Sequence, residues 1–248
     1  MSAPGGEIDR ILDTGDMHWR QIALVTLCIG LNGMDGFDVL SISFAAPGIA
    51  REWAISQAAL GVVLSVELFG MALGSVIWGN IADRIGRRPS ILWCLTLMGA
   101  GMLAAAAAHT IHFLVAARLV TGFGIGGMLS ATSAIVAESS NSRRRDLNLS
   151  LNIAGYSAGA ILGGSAVPTL LSGHGGWRSV FLLGGLATLI LLPVTWALML
   201  ESIEYLSCRG GAAALQKINR VLRSFGRDDL AALPPRRRGT ALPISTLF

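Results

Sequence analysis

Residues 58–108 read AALGVVLSVELFGMALGSVIWGNIADRIGRRPSILWCLTLMGAGMLAAAAA, and this stretch decides the fold class. Both of its apolar runs are long enough to supply the ~20 residues that a helix needs to cross a bilayer. The segment between them, residues 79–88, concentrates three arginines and one aspartate. We therefore interpret the stretch as two transmembrane helices joined by a charged turn.

The composition extends this interpretation to the whole chain. Hydrophobic residues make up 52% and charged residues 14% of the 248 residues, and the mean hydropathy is +0.61. A soluble protein could not cover so much apolar surface with so few charges. The formal net charge of +4 could suggest a nucleic-acid partner, but the basic residues lie between apolar runs rather than in one patch. We therefore expect the chain to contact the lipid bilayer and not to bind nucleic acid.

Six apolar stretches are long enough to form transmembrane helices. They are residues 19–46, 58–81, 89–108, 111–137, 147–171 and 179–200. The sequence thus predicts an all-α membrane protein whose six transmembrane helices form a bundle over residues 19–200. The N-terminal segment, residues 1–18, carries several acidic residues and lacks a basic beginning, so it is not a cleavable signal peptide. The first helix is expected to act as its own insertion signal.

The distribution of lysine and arginine predicts the orientation of these helices. Most of the 19 basic residues lie in the N-terminal segment, between helices two and three, between helices four and five, or after helix six. The opposite connections hold only Arg51 and Arg178, and Arg118 lies inside the fourth stretch. Because basic connections stay inside, we predict a multi-pass protein with both termini cytoplasmic.

The tail, residues 201–248, predicts a cytoplasmic linker built on a basic amphipathic helix. Its apolar residues at helical spacing are Leu215, Ile218, Leu222 and Phe225. Basic residues occupy the other faces, so the helix could lie on an anionic cytoplasmic leaflet or could be a solvated connector. A proline- and arginine-rich segment, residues 234–238, follows, and the chain ends where a second six-helix half would begin.

One pattern that looks like a cofactor site fails a check of its context. Residues 122–127 read GFGIGG and satisfy G-x-G-x-x-G, but the dinucleotide fingerprint requires a strand before it, and here it lies inside an apolar stretch. Glycines in such a place are typical of close helix packing. Cys28, Cys94 and Cys208 give no metal spacing, and no histidine accompanies a nucleophile motif. We expect no enzymatic activity, no cofactor and no metal.

Ionisable residues inside the predicted helices are costly in lipid and therefore informative. They are Asp35, Asp38, Glu67 and Arg118. A rise of about 1.5 Å per residue places Asp38 roughly 13 Å and Arg118 roughly 10 Å below the predicted outer surface, and places the other two near the midplane. Asp35 and Asp38 share one helix face. Gly36 between them lets the backbone bend or a ligand approach.

These charges allow two interpretations. In the first, helices one, two and four enclose a cavity in which Arg118 grips a carboxylate ligand in a bidentate contact and the buried carboxylates carry protons. In the second, Asp38 and Arg118 form an ion pair that only fixes two helices to each other. Several such groups at similar depth exceed what one pair requires, which favours the cavity.

Three motifs resemble those of the major facilitator superfamily. The first, G-x-x-A-D-R-x-G-R-R between helices two and three, comprises Gly79, Asp83, Arg84, Gly86, Arg87 and Arg88. The second and third are Arg118 followed by Gly122, Gly124 and Gly126 in helix four, and Gly155, Gly159, Gly163 and Gly164 in helix five. More narrowly, Asp35-Gly36-Phe37-Asp38 is similar to the D-G-x-D motif of the aromatic acid:proton symporter family, which Glu201-Ser202 also fits.

The resemblance implies the amino-terminal half of a transporter that takes up aromatic carboxylates, such as hydroxybenzoates, with protons across a bacterial inner membrane. Asp35, Gly36 and Asp38 would then serve transport. Arg118 would bind substrate or couple protons. The charged residues between helices two and three would form a cytoplasmic gating loop that latches the two halves.

Members of this family have two six-helix halves, and this chain resembles one. A truncated reading frame, a split transporter with a second chain, or a homodimer would each account for the difference, and the arginine-rich tail favours truncation. Two other functions stay open. One is a facilitator for another organic anion or a sugar, and the other is a membrane subunit that does not transport.

Overall fold

The computed structural model describes Ile11 and residues 16–171, 176–230 and 232–233 of the chain. The helices in this part are α1 (Trp19–Trp53), α2 (Gln57–Ile85), α3 (Arg87–Ala106), α4 (Ile111–Ser139), α5 (Arg145–Leu171), α6 (Arg178–Leu198), α7 (Ile203–Arg209) and α8 (Ala212–Ser224). The residues described form no β-strand. The predicted all-α architecture is confirmed.

Five of the long helices, α1 to α4 and α6, are long and apolar enough to cross a membrane. α5 has 27 residues, which also suffices for a span, but glycines and two asparagines, Asn148 and Asn152, make it less apolar. Both asparagines are buried, and the Asn152 carbonyl accepts a hydrogen bond from Asn32 Nδ2 of α1 at 2.9 Å. These two asparagines therefore face the bundle. The chain is a multi-pass membrane protein.

Two helix boundaries differ from the apolar pattern. The pattern ends the first helix near Pro47, but α1 continues through this proline to Trp53. Its last turn exposes the polar side chains of Arg51 and Glu52. Residues 79–88, predicted as a turn, are helical except for Gly86, which separates α2 from α3. Its φ of 109° suits glycine, so one residue makes the reversal.

The long helices alternate in direction. We call the end where α1 begins the terminal end and the opposite end the far end. α2 packs along α4, α1 along α5, and α3 between α4 and α6. One apolar core, which includes Leu24 and Ile135, lies towards the terminal end. A second, which includes Ile49 and Phe181, lies towards the far end.

Glycines lie where the helices approach most closely. Those predicted to serve packing are Gly122, Gly124 and Gly126 on α4, and Gly155, Gly159 and Gly163 on α5. A side chain at Gly122 would collide with the Glu67 carbonyl of α2, and one at Gly159 would collide with the Gly33 backbone of α1. The backbones of α2 and α4, and those of α1 and α5, are thus in direct contact. These contacts fix the positions of α1 and α2 and of the residues on them.

The tail folds back against the terminal end. Ile218 and Leu222 of α8 are fully buried, and they belong to the core that contains Leu24. The apolar side of this helix is thus covered by the bundle, while Lys217 and Arg220 are exposed. Its position relative to a leaflet stays a prediction. The segment at 234–238, the rest of the chain end and most of segment 1–18 lie outside the described residues.

Candidate functional site

Arg118 of α4 is the largest fully buried side chain among the described residues. A guanidinium has five N–H groups, and each one here has a protein partner. Nε donates to Glu67 Oε2 at 3.1 Å, and Nη2 donates to Glu67 Oε1. Nη1 donates to Asp38 Oδ1 at 2.8 Å and to Met102 Sδ at 3.3 Å. Nη2 also donates to the Asp38 carbonyl at 2.9 Å.

Three helices bring this central cluster, Asp38, Glu67 and Arg118, together. Asp38 comes from α1, Glu67 from α2 and Arg118 from α4, each at the point where its helix passes from one apolar core to the other. None of the three is more than 1% exposed. The expected cavity between helices one, two and four is therefore closed around these side chains. The cluster sets one guanidinium against two carboxyl groups.

Asp35 stands apart from the central cluster. It lies one turn before Asp38 on α1 and is fully buried. Neither of its carboxylate oxygens has a hydrogen-bond partner among the described residues. The adjacent Gly36 packs against the Tyr156 carbonyl of α5, with which a side chain would collide. Because orphaned buried polar groups are rare and costly, Asp35 is a candidate for function rather than for structure.

Two apolar residues that the sequence did not single out also contact Arg118. Met102 of α3 accepts a hydrogen bond through its sulfur, and the Phe181 ring of α6 lies 5.4 Å from Arg118 Cζ, within the range of a cation–π interaction. No sequence signal could have found them, since an apolar residue in an apolar helix resembles its neighbours.

A second arginine cluster lies at the terminal end. Its members, which we call the terminal cluster, are Arg87, Glu138 and Glu204. Arg87 Nη2 lies 3.0 Å from Glu138 Oε1 of α4 and 3.8 Å from Glu204 Oε2 of α7. Ser202 Oγ donates to Glu138 Oε2. The sequence did not mark Glu138, because it lies just beyond the apolar stretch of helix four.

Side chains from the segment after α6 stabilise the chain reversal at Gly86. Glu201 Oε1 accepts from the backbone amides of Arg87 at 2.9 Å and Arg88 at 3.2 Å, which caps the start of α3 with a negative charge. Tyr205 Oη donates to the Arg84 carbonyl at 3.2 Å. The charged segment between α2 and α3 is thus tied to the chain that leaves the bundle.

Gly79 and Asp83 take no part in these contacts. Nothing lies within 4 Å of the Cβ position at Gly79 in the described part of the chain. Among the described residues, no helix neighbours this face of α2, so a close approach at Gly79 stays a prediction. The side chains of Asp83 and Arg84 are exposed.

The far end carries a third polar group that the sequence analysis missed. Glu52 of α1 accepts from Trp177 Nε1 at 2.7 Å and from Arg178 Nη1 at 2.7 Å. Arg178 Nη2 also donates to the Ala108 carbonyl at 3.0 Å. The sequence feature that could have pointed to this group is Arg178, because it is isolated in a connection with few charges. These contacts join the far ends of α1, α3 and α6.

An apolar groove of about 420 Å³ lies between α1, α5 and α6. Its lining, which includes Gly33, Phe37 and Leu183, consists of apolar residues and glycine, so it offers nothing to bind a carboxylate. The described residues contain no group of histidine, cysteine, aspartate and glutamate suited to a metal ion. The central cluster is therefore the strongest candidate for a ligand site.

The sequence matches a known family and named relatives. The profile of the Major Facilitator Superfamily matches residues 26–239. The gallate transporter of Pseudomonas putida is 36% identical over 212 residues, which are 84% of this chain and 47% of that protein. The 4-hydroxybenzoate transporter PcaK of Pseudomonas aeruginosa is 32% identical over 83% of this chain and 44% of that protein. The chain spans about half the length of the curated relatives it matches.

Solved structures share the architecture. The xylose transporter XylE from E. coli, in a partially occluded inward-open conformation, matches with a TM-score of 0.73 and 19% identity, over 81% of this chain and 55% of that one. A bacterial homologue of the lysosomal transporter Spinster matches with a TM-score of 0.63 and 18% identity, over 74% of this chain and 44% of that one. At these identities the likeness concerns the fold alone.

Proposed function

This chain belongs to the Major Facilitator Superfamily, and we propose that it supplies half of a secondary active transporter that takes up aromatic carboxylates together with protons. The observation that carries the proposal is the central cluster. A fully buried guanidinium held by two carboxylates from different helices is costly to build in a membrane protein. Such a cluster is expected where an ion or a charged substrate must be bound.

The substrate class follows from the chemistry of Arg118 together with the relatives. A guanidinium matches the planar, bidentate geometry of a carboxylate. The two relatives described above are named as transporters of gallate and of 4-hydroxybenzoate, both of which are aromatic carboxylates. No observation favours a sugar, since the likeness to the xylose transporter concerns the fold. Family and fold indicate a transporter rather than an enzyme.

The proton is assigned to the carboxylates of α1. Asp35 is buried without a hydrogen-bond partner among the described residues, whereas Asp38 is engaged by Arg118. A carboxylate without fixed partners can gain and lose a proton without breaking protein contacts. Asp35 is therefore the first candidate for a proton carrier, with Asp38 and Arg118 as the substrate-binding pair and Gly36 allowing α5 to pack close to both aspartates.

The terminal cluster supports a gating role for the segment between α2 and α3. Arg87 and Glu201 hold the ends of α2, α3 and α4 to the segment after α6. We assign the latch between two halves to this segment, with Gly79 and Asp83 on its open outer side. Gly79 would then meet the second half rather than a helix of this chain.

The location and the partners are proposed on the same basis. Basic residues crowd the terminal end, so this end would face the cytoplasm of a bacterium and the protein would lie in the inner membrane. A second six-helix half, from another chain or from a second copy, would complete the substrate path by rocking against this one.

Uptake of radiolabelled 4-hydroxybenzoate by cells producing the chain together with a second six-helix half tests the proposal, with neutral 4-hydroxybenzamide as the control. We expect the acid to accumulate, a protonophore to abolish accumulation, and Asp35→Asn to abolish it at an unchanged amount of protein in the membrane. Equal accumulation of acid and amide, or accumulation that ignores the protonophore, would refute proton-coupled carboxylate transport.

A further inference from the structure

We propose that Phe181 of α6 is a positioning residue of the central cluster, because its ring fixes the orientation of the Arg118 guanidinium. The inference rests on the proposed function for the identity of the ligand that Arg118 would bind. The contact between the ring and the guanidinium does not depend on that identity and can be tested without a ligand.

Arg118 is held from two sides by different kinds of group. The carboxyl groups of Asp38 and Glu67 reach it from α1 and α2. From α3, Met102 Sδ accepts from Nη1 at 3.3 Å. From α6, the Phe181 ring lies beneath Arg118 Cζ, with 5.4 Å between Cζ and the ring centroid. On this second side, an electron-rich sulfur and an aromatic ring take the place of carboxylates.

Burial makes the contact between Phe181 and Arg118 strong and directional. Both side chains are 0% exposed, and a cation is attracted to an aromatic ring more strongly when water is excluded from both. The attraction acts through the face of the ring, whereas the ring edge is positive. A guanidinium that left the ring face would lose this attraction. The ring therefore favours one placement of the Arg118 side chain.

The Phe181 ring is itself fixed from the far end. Trp177, one turn earlier in the chain, packs edge-to-face against it with ring centroids 5.8 Å apart. Trp177 Nε1 donates to Glu52 of α1 at 2.7 Å, and Arg178 Cζ lies 4.3 Å from the centroid of the Trp177 ring. A side chain at Gly48 of α1 would collide with Trp177. A continuous line of contacts thus runs from the far end to the central cluster.

A close approach of α6 to α3 brings the ring within reach of the cluster. Gly184 lies one turn after Phe181, and a side chain there would collide with Met102 of α3 and press on Phe37 of α1. The absence of a side chain at Gly184 lets α6 lie close to both helices. Met102 and Phe181 can therefore contact Arg118 together.

A guanidinium of fixed orientation is suited to bind a carboxylate. The bidentate contact joins two planar groups and requires them to be aligned. A group that is already oriented loses less conformational freedom when the ligand binds, so the affinity is higher. Weakening the attraction between Phe181 and Arg118 should therefore lower the affinity for a carboxylate, even when the shape of the ring is kept.

Fluorinated phenylalanines at position 181 test the contact in the purified, ligand-free chain. Fluorine withdraws electrons from the ring face, so one, two and three fluorines weaken the attraction to a cation in steps. We expect the unfolding temperature to fall with each fluorine. Since fluorine also makes the ring more apolar, packing alone would leave the unfolding temperature unchanged or raise it. A flat or rising series would overturn the proposal.

The matched control is the same series in a chain with Arg118→Leu, Asp38→Asn and Glu67→Gln, which has no cation over the ring. Its unfolding temperature should not fall with fluorination. An equal fall in both chains would show that the effect does not come from Arg118 and would also overturn the proposal.

Benzoate binding, measured by calorimetry on the fluorinated chains, tests the consequence for the ligand. We expect the Kd for benzoate to rise in steps, by about tenfold in total with three fluorines. Trifluorination of Phe123, whose ring packs against Trp78, should leave the Kd unchanged. A Kd that stays constant across the series at position 181 would overturn the positioning role. If the unchanged chain does not bind benzoate, the proposed function fails, and the ligand-free series alone decides whether Phe181 holds Arg118.

Discussion

The central and terminal clusters have the same composition and different surroundings. Arg118 and Arg87 each lie between two carboxylates, but the Arg118 side chain is 0% exposed and the Arg87 side chain is 20% exposed. Water can replace a lost partner of Arg87, whereas only protein or a bound ligand can replace a partner of Arg118. Burial rather than composition therefore separates a cluster that can control ligand binding from one that holds helix ends together.

The largest effect is expected when Arg118 is removed. Arg118→Leu leaves Asp38 and Glu67 buried and uncompensated, so the free energy of unfolding should fall by about 3–5 kcal/mol. Thermal unfolding of the purified chain measures the loss. Adding Asp38→Asn and Glu67→Gln should restore most of it, because the stranded charges are gone. A triple variant no more stable than Arg118→Leu would mean that packing, not charge, accounts for the loss.

A smaller effect should follow from disturbing the central cluster through the backbone. In Gly122→Ala the new methyl group meets the Glu67 carbonyl, which should push α2 from α4 and cost about 1–3 kcal/mol of stability. Gly79→Ala adds the same methyl group to the open face of α2 and should be neutral or slightly stabilising. Equal unfolding temperatures for the two variants would contradict the close contact at Gly122.

The terminal cluster should tolerate the loss of its arginine. Arg87→Ala removes a partly exposed partner, and the Arg87 amide that Glu201 accepts from remains. We expect a loss of about 1 kcal/mol or less, decreasing further in high salt. Chemical unfolding at low and high sodium chloride measures it. A loss as large as that of Arg118→Leu would remove the distinction between the clusters.

The smallest effect is expected at a surface pair in the tail. The Arg223 side chain is 69% exposed and bonds Asp229, and these hydrogen bonds lower the pKa of Asp229 below its usual value. The contribution of the Arg223–Asp229 pair to stability is therefore fully present at a pH above the ordinary aspartate pKa. It is lost as the pH falls through the lowered pKa of Asp229. Arg223→Ala should change the unfolding temperature slightly at neutral pH and not at all in acid. A difference that grows in acid would contradict the pairing.

Much of the fold could be predicted from the sequence because polar groups are costly to bury in a lipid bilayer. Transmembrane helices therefore need long apolar stretches, and most arginines lie between those stretches. The six long helices follow from the apolar stretches, and counting residues from the helix ends placed Asp38 and Arg118 at similar depths. The docking of α8 could not be predicted, since an apolar helix face suits a bilayer and a bundle equally well. The contacts of Arg118 with Met102 and Phe181 depend on helix packing that sequence spacing does not reveal.

The contact partners of individual charged residues could not be predicted from the sequence either. Asp35 and Asp38 look equivalent in the sequence. In the folded chain, the orientation of α1 brings Asp38 into contact with Arg118, whereas Asp35 has no hydrogen-bond partner among the described residues. Glu67 lies near the predicted midplane, yet only the α2–α4 contact at Gly122 shows that it reaches Arg118. The roles of these residues in transport stay predictions.

Thermal unfolding of the purified chain with benzoate and with benzamide tests most directly whether Arg118 recognises a carboxylate. The two ligands share a ring and differ in charge. We expect benzoate to raise the unfolding temperature and benzamide to leave it unchanged. Arg118→Lys should lose most of the benzoate effect, because an ammonium group cannot form the planar bidentate contact. Equal shifts with acid and amide would contradict a carboxylate site at Arg118 and leave the central cluster as an ion pair between helices.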